Sequence, residues 1–182
     1  MDGIENTLLA FTFVRMRYAS ATLTIVGAGS EENELRQLSD ALGNRGIRFL
    51  DRIEHSAMPR VYEEADVFLN SSPTNHQLTA VLEAMASGLP VVTTDAGDIP
   101  ILVRDGVTGM IVPRRDPNRM ANAATVLLEQ AELAHTISYC AKERIESHTW
   151  SHIRDEWADV YAGRLVMSVQ TEDNGQRTDC AA

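Results

Sequence analysis

The chain places one carboxylate, that of Glu83, inside a segment that is otherwise apolar and has the spacing of a helix. Leu78, Val81, Leu82 and Met85 recur at intervals of three and four residues, as on one face of a helix. A carboxylate buried among such residues costs free energy unless a hydrogen-bond donor pairs with it. The two hydroxyls of a ribose would satisfy both of its oxygens, and the alternative is a Glu83 side chain that faces solvent.

The start of the same helix is a candidate anion site. A polar loop, residues 70–75, precedes the helix, and the first N–H groups of a helix have no partner within it. These groups and the helix dipole favour a bound anion. The helix ends at Gly88, because Pro90 cannot continue it, and the β-branched residues 91–93 predict a strand. The helix and strand together therefore predict a ligand site next to the loop.

A second glycine-containing turn follows an earlier strand. Gly27 and Gly29 in the run GAG come after a β-branched segment, as in the start of a dinucleotide-binding fingerprint. Glu32 occupies the position of the third glycine, so a tight strand-to-helix turn is favoured over a specific NAD or FAD site.

The histidines and cysteines do not form the pattern of a metal site. Only His148 and His152 share the four-residue spacing of a helical ligand pair, and solvated residues at a helix boundary are the favoured interpretation. Cys140 and Cys180 have no CxxC or Cys/His spacing around them. We therefore predict no metal and no disulfide.

Composition narrows the class of protein further. The 182 residues are 44% hydrophobic and 23% charged, with a net charge of -10, which predicts a globular chain with a substantial core. The negative charge argues against a nucleic-acid surface, which needs a concentrated basic patch. No run approaches the roughly 20 apolar residues of a membrane span, and the amino terminus lacks the layout of a signal peptide. We expect a cytoplasmic protein.

Helical and strand patterns alternate along most of the chain, which predicts an α/β fold with a doubly wound parallel sheet and helices on both faces. We assign residues 1–165 to one Rossmann-like domain and expect the polar tail, residues 166–182, to be disordered. In such sheets ligands bind where the strands reach their carboxyl ends. Those ends are predicted at residues 27–30, 50–53, 70–75 and 93–98.

Several motifs occur in a fixed order: LTIVGAG, IRFLDRI, MPRVYEEADVFLNSS, VLEAMASGLPVVTTDAGDIP and DGVTGMIVP. This order resembles the carboxy-terminal Rossmann-like domain of family 4 retaining glycosyltransferases, the group 1 enzymes of the two-domain GT-B architecture. The resemblance covers about residues 2–165. It implies that this domain binds a nucleotide-sugar donor, that a separate amino-terminal domain binds the acceptor, and that no metal or other cofactor is required.

The resemblance also assigns roles to particular residues. Glu83 is similar to the second glutamate of the family's EX7E motif, which holds the ribose hydroxyls. The first glutamate, which contacts the transferred sugar, falls on Asn75, which keeps hydrogen-bonding capacity but not the charge. The backbone N–H groups that hold the diphosphate correspond to Leu78, Thr79 and Ala80, and donors of this kind do not depend on the side chain.

The remaining assignments show departures from the family. The nucleotide is expected beside Gly27, Gly29, Asp51 and Arg52, where Asp51 replaces a glycine of the base-reading stretch. The opening strand of the family, with an arginine and a lysine that neutralise the diphosphate, has no counterpart, and Asp2 falls on the lysine position. Each lost charged hydrogen bond should cost about 1.5 to 3 kcal/mol, and the sheet loses a strand.

Two classes of function follow from these observations. The first is a glycosyltransferase of the hexosyl type, in which this chain binds a UDP- or GDP-type donor and acts with a separate amino-terminal domain. The second is a truncated, non-catalytic remnant that keeps the fold and at most weak nucleotide binding. A related enzyme such as a sugar-nucleotide epimerase is a third possibility, which the order of motifs fits less well.

Overall fold

The computed structural model describes residues 3–73, 78–146 and 149–162. Helices separate each strand from the next, as the sequence predicts. The strands are β1 (Leu23–Val26), β2 (Ile47–Leu50), β3 (Phe68–Asn70), β4 (Val91–Thr94) and β5 (Met110–Val112). The helices are α1 (Ile4–Arg17), α2 (Glu32–Ala41), α3 (Met58–Glu63), α4 (Leu78–Ala86), α5 (Ile99–Leu102), α6 (Pro117–Glu129), α7 (Ala131–Glu146) and α8 (Trp150–Tyr161).

All strand pairs are parallel, which confirms the predicted α/β class, but the strands form two sheets. One sheet has the order β1-β2 and the other β3-β4-β5. In the described part of the chain no strand bonds to the facing edges of β1 and β3, so the parallel sheet is in two parts there.

Strand β4 is the centre of the packed core, with all four of its residues buried. Successive side chains of a strand point to opposite faces, and Val91 and Val92 contribute to different clusters. Val91 packs with residues of α3, α4 and α5, and Val92 packs with residues of α1 and α6. Helices therefore cover both faces of this sheet, as predicted.

The start of a helix is easiest to recognise in the sequence where a capping residue precedes it. Helix α6 begins at Pro117, where the missing N–H of a proline costs nothing, and the side chain of Asp116 accepts a 2.9 Å hydrogen bond from the N–H of Arg119. Strand β3 has only three residues, Phe68–Asn70. The expected disordered tail, residues 166–182, lies outside the described residues.

Within the described ranges, we find no helix with the length and apolar character that crossing a membrane requires.

Candidate functional site

A cleft of about 820 Å³ lies between the two sheets. Residues of β1 line one side, and residues of β3, α3 and α4 line the other. At the carboxyl end of the strands its walls include Val26, Ser71, Ala80 and Glu83. Of the four residues predicted to contact a ligand from the α4 side, Ala80 and Glu83 therefore line this cleft, and Leu78 and Thr79 do not.

Glu83 lies in α4, and its side chain is 28% exposed. The hydroxyl of Tyr62 donates a 2.9 Å hydrogen bond to its Oε2 atom. The Nδ1 atom of His55, an exposed residue, lies 3.7 Å from its Oε1 atom. Of the two sequence-based alternatives, the half-buried carboxylate with a hydrogen-bond donor describes Glu83 better than a solvent-facing one. The donor in the structure is a protein hydroxyl.

Tyr62 is a site residue that the sequence analysis missed. It is the one buried residue of α3, and its ring packs edge-on against Phe68 with 6.1 Å between centroids. Burial, followed by the hydrogen bond and the negative charge of Glu83, raises the pKa of Tyr62 well above its usual value near 10. An aromatic residue on a short helix was the available signal, but its partner is 21 positions away in sequence.

The residues predicted to contact the diphosphate lie in α4, which spans Leu78–Ala86 in the described part of the chain. Leu78 and Ala80 are half-buried, and Thr79 between them is exposed. Asn75, at the position of the family's first motif glutamate, lies outside the described residues.

The other predicted contacts lie together at the carboxyl ends of β1 and β2. The N–H of Gly27 donates a 3.0 Å hydrogen bond to the carbonyl of Leu50, which brings the GAG turn beside Asp51 and Arg52. Gly27 has φ +130°, a conformation that side chains rarely adopt. A Cβ atom at Gly27 or Gly29 would meet nothing within 4 Å. The turn is therefore open to a ligand, and Asp51 and Arg52 are exposed beside it.

A buried polar network, also missed by the sequence analysis, holds the carboxyl end of the second sheet. The Nδ2 atom of Asn70 donates to Oγ1 of Thr93 across 2.9 Å, and its Oδ1 atom accepts from the N–H of Ser72 across 3.2 Å. The hydroxyl of Thr94 donates to the carbonyl of Ser72 across 2.7 Å. These bonds fix the start of the loop that leads to α4.

An ion pair lies at the carboxyl end of the same sheet. The guanidinium of Arg114, just after β5, lies 3.1 Å from the carboxylate of Asp95, just after β4. About half of each side chain is exposed, so salt and water weaken the pair. No group of three possible metal ligands occurs among the described residues, and the candidate pair His148 and His152 falls outside the described side chains.

Comparison with solved structures identifies the class of the fold. The structure of the carboxy-terminal domain of a glycosyl transferase group 1 family protein, LpcC from Francisella tularensis, matches with a TM-score of 0.71 at 22% identity. The match covers 79% of this chain and 77% of that one. The structure of HepE from Anabaena in complex with UDP and glucose matches with a TM-score of 0.72 at 23% identity, over 86% of this chain and 44% of that one. The fold is that of a GT-B carboxy-terminal domain.

The family model for glycosyl transferases group 1 matches residues 1–130, and the chain belongs to that family. D-inositol 3-phosphate glycosyltransferase of Corynebacterium diphtheriae is 31% identical over 144 residues, which are 79% of this chain and 34% of the relative. The chain spans less than half the length of the curated relatives it matches.

Proposed function

We propose that this chain is the donor-binding half of a hexosyl-type glycosyltransferase. It binds a UDP- or GDP-type nucleotide sugar at the carboxyl end of the cleft, and a separate amino-terminal half supplies the acceptor. The observation that carries the proposal is the Glu83 carboxylate, which opens into the cleft beside the first turn of α4. HepE, whose structure holds UDP and glucose, supports this choice of ligand by its similar fold.

Each part of the nucleotide has a place in this proposal. The ribose hydroxyls donate to Glu83, chiefly to Oε1, because Oε2 already accepts from Tyr62. The diphosphate accepts from the N–H groups of Leu78, Thr79 and Ala80, where the helix dipole stabilises negative charge. The base lies beside the open turn at residues 27–29 and the pair Asp51 and Arg52. The transferred sugar lies toward Asn75.

Electrostatics predict weak binding by this chain alone. The net charge is -10, and the exposed Asp51 lies beside the proposed base site. Arg114 at the same edge already pairs with Asp95. We therefore expect the backbone donors of α4 to supply most of the diphosphate stabilisation, with no metal required.

Calorimetric titration with UDP and GDP tests the proposal. One of them should bind, and Glu83→Gln should weaken it by about 5- to 150-fold, the equivalent of about 1 to 3 kcal/mol for a hydrogen bond to a charged group. Glu129→Gln is the control, since that carboxylate pairs with Tyr18 at the other end of the cleft. No binding at millimolar nucleotide would refute the proposal. An unchanged affinity in Glu83→Gln would show that the nucleotide binds elsewhere on the chain.

The second candidate is a non-catalytic remnant, favoured by the division between the two sheets and by the absence of a charge at Asn75. An assay of sugar transfer, in which this chain is mixed with the acceptor-binding half of a relative, distinguishes the two candidate functions. Sugar transfer that depends on Glu83 supports the enzyme, and nucleotide binding without transfer supports the remnant.

A further inference from the structure

The two oxygens of the Glu83 carboxylate have different surroundings. Oε2 accepts the 2.9 Å hydrogen bond from the hydroxyl of Tyr62, whereas Oε1 accepts none from the described residues. The side chain is 28% exposed and lines the cleft, so a ligand can reach it. One oxygen is therefore engaged by the protein, and the other is open.

The imidazole of His55 lies beside this open oxygen. Its Nδ1 atom is 3.7 Å from Oε1, farther than the reach of about 3.2 Å of an N–H···O hydrogen bond. His55 begins the short 3₁₀ helix His55–Ala57 that precedes α3, and 87% of its side chain is exposed. Within the described ranges the imidazole has no partner other than Glu83. Two polar groups thus stand next to each other, and neither is satisfied by the other.

The spacing of these two groups suits a pair of neighbouring hydroxyls. A ribose offers two O–H donors on adjacent carbons, and each needs an acceptor once its water is displaced. Oε2 of Glu83 already accepts from Tyr62, which leaves Oε1 for one hydroxyl. A neutral imidazole has one acceptor nitrogen, and Nδ1 of His55, at 3.7 Å from Oε1, is placed to accept from the second.

The ionisable groups around Glu83 come from two elements, as far as the structure describes them. Tyr62 of α3 and His55 contact the carboxylate, and Phe68 of β3, which packs against the ring of Tyr62, is apolar. Burial and Glu83 raise the pKa of Tyr62, so its hydroxyl stays protonated and donates throughout the neutral range. Histidine is the side chain that ordinarily changes charge between pH 5 and 8. A change of charge at this site in that range therefore falls to His55.

We infer that His55 is a second ribose-binding residue, which shares the two hydroxyls of the nucleotide with Glu83. One hydroxyl donates to Oε1 of Glu83 and the other to Nδ1 of neutral His55. Protonation of His55 removes its acceptor and makes the imidazole a donor to Oε1, so both ribose contacts weaken together at acidic pH. The inference rests on the proposed function, because it assigns a contact within the nucleotide site.

Calorimetric titration of wild type and His55→Ala with a ribonucleotide and its 2′-deoxy and 3′-deoxy forms tests the contact. The ribonucleotide is UDP or GDP, whichever binds the wild type more tightly. His55→Ala should weaken it by about 2- to 13-fold, the equivalent of about 0.5 to 1.5 kcal/mol for one hydrogen bond. One deoxy form should lose a similar factor on the wild type and bind His55→Ala equally well, because the hydroxyl and its acceptor make one contact. His135→Ala, at an exposed position of α7, is the control and should bind like the wild type.

The pH dependence is a readout that a merely structural role of His55 would not move. The terminal phosphate of the nucleotide itself titrates near roughly pH 6, so the affinity of wild type is divided by that of the variant at each pH. This ratio should be highest at pH 8 and fall to one or below at pH 5.5. His55→Asn should retain part of the affinity, since its amide oxygen can accept a hydroxyl, and should lose the pH dependence of the ratio to His55→Ala.

Three outcomes would overturn the inference and leave the proposed function standing, provided that Glu83→Gln still weakens binding. They are an unchanged affinity in His55→Ala, an equal effect of His55→Ala on all three nucleotides, and a ratio that rises toward acidic pH. The last would show that His55 acts as a cation toward the diphosphate. Absence of nucleotide binding to the wild type would refute the proposed function and this inference with it. Thermal unfolding should give the same midpoint for His55→Ala and wild type, because the side chain is exposed.

Discussion

The hydroxyl of Tyr62 and the carboxylate of Glu83 join α3 to α4 across 2.9 Å at the carboxyl end of the cleft. This bond satisfies one oxygen of a half-buried acid before any ligand arrives. It also fixes the direction of the other oxygen, which is the one left for a sugar hydroxyl. The carboxylate is therefore oriented in advance, so that a ligand does not bear the full entropy cost of ordering it.

Tyr62→Phe should destabilise the protein by about 1 to 2 kcal/mol, because it leaves Oε2 of Glu83 half-buried without its donor. The ring and its contact with Phe68 remain, so the effect reports the hydroxyl. Urea unfolding measures the change, with Tyr139→Phe, at an exposed position, as the control. A change as small as that of the control would show that water replaces the Tyr62 donor at no cost.

The same hydroxyl makes stability depend on pH in the alkaline range. The pKa of Tyr62 is higher in the folded protein than in the unfolded chain, where it is near 10. The folded state therefore holds a proton that the unfolded state releases, and the free energy of unfolding should fall as pH rises above about 10. Unfolding midpoints measured between pH 8 and 11 should show this slope in the wild type and a shallower one in Tyr62→Phe. Identical slopes would contradict the assignment to Tyr62.

Asn70 and Thr93 should be strongly coupled. Asn70 is 2% exposed and Thr93 fully buried, and each loses its partner when the other is replaced. Asn70→Ala should cost about 2 to 3 kcal/mol and Thr93→Val about 1 to 2 kcal/mol, since buried polar groups are left unpaired. In a double-mutant cycle the combined loss should be smaller than the sum by about 0.5 kcal/mol or more. Strict additivity would mean that the two side chains do not interact.

Gly109→Ala should destabilise the protein by crowding alone. An added Cβ would lie 2.6 Å from Cγ1 of Val103 and 3.2 Å from the carbonyl oxygen of Val91, and both residues are buried. Overpacking of this kind costs about 1 to 3 kcal/mol. Gly29→Ala is the control, because its Cβ would meet nothing within 4 Å. Thermal unfolding should separate the two variants, and equal midpoints would show that the region around Val103 can yield.

The sequence was most informative where the signal is local. The start of α6 at Pro117 could be predicted because Asp116 and the proline act within one turn. The donor to Glu83 could not, because Tyr62 reaches it through the packing of two helices. The contacts of Asn70 likewise depend on the register of β3 against β4. The division between β1 and β3 and the cleft beside them required the structure.

The division between the sheets has a consequence for how the molecule unfolds. Strands β1 and β2 bond only to each other in the described part of the chain and have no fully buried residue, whereas β4 is buried throughout. With no backbone ladder between the halves, cohesion depends largely on α1, which packs against both α2 and α6. We expect two units of cooperativity, in which the β1-β2 half opens at a lower free energy while the β3-β4-β5 half stays folded.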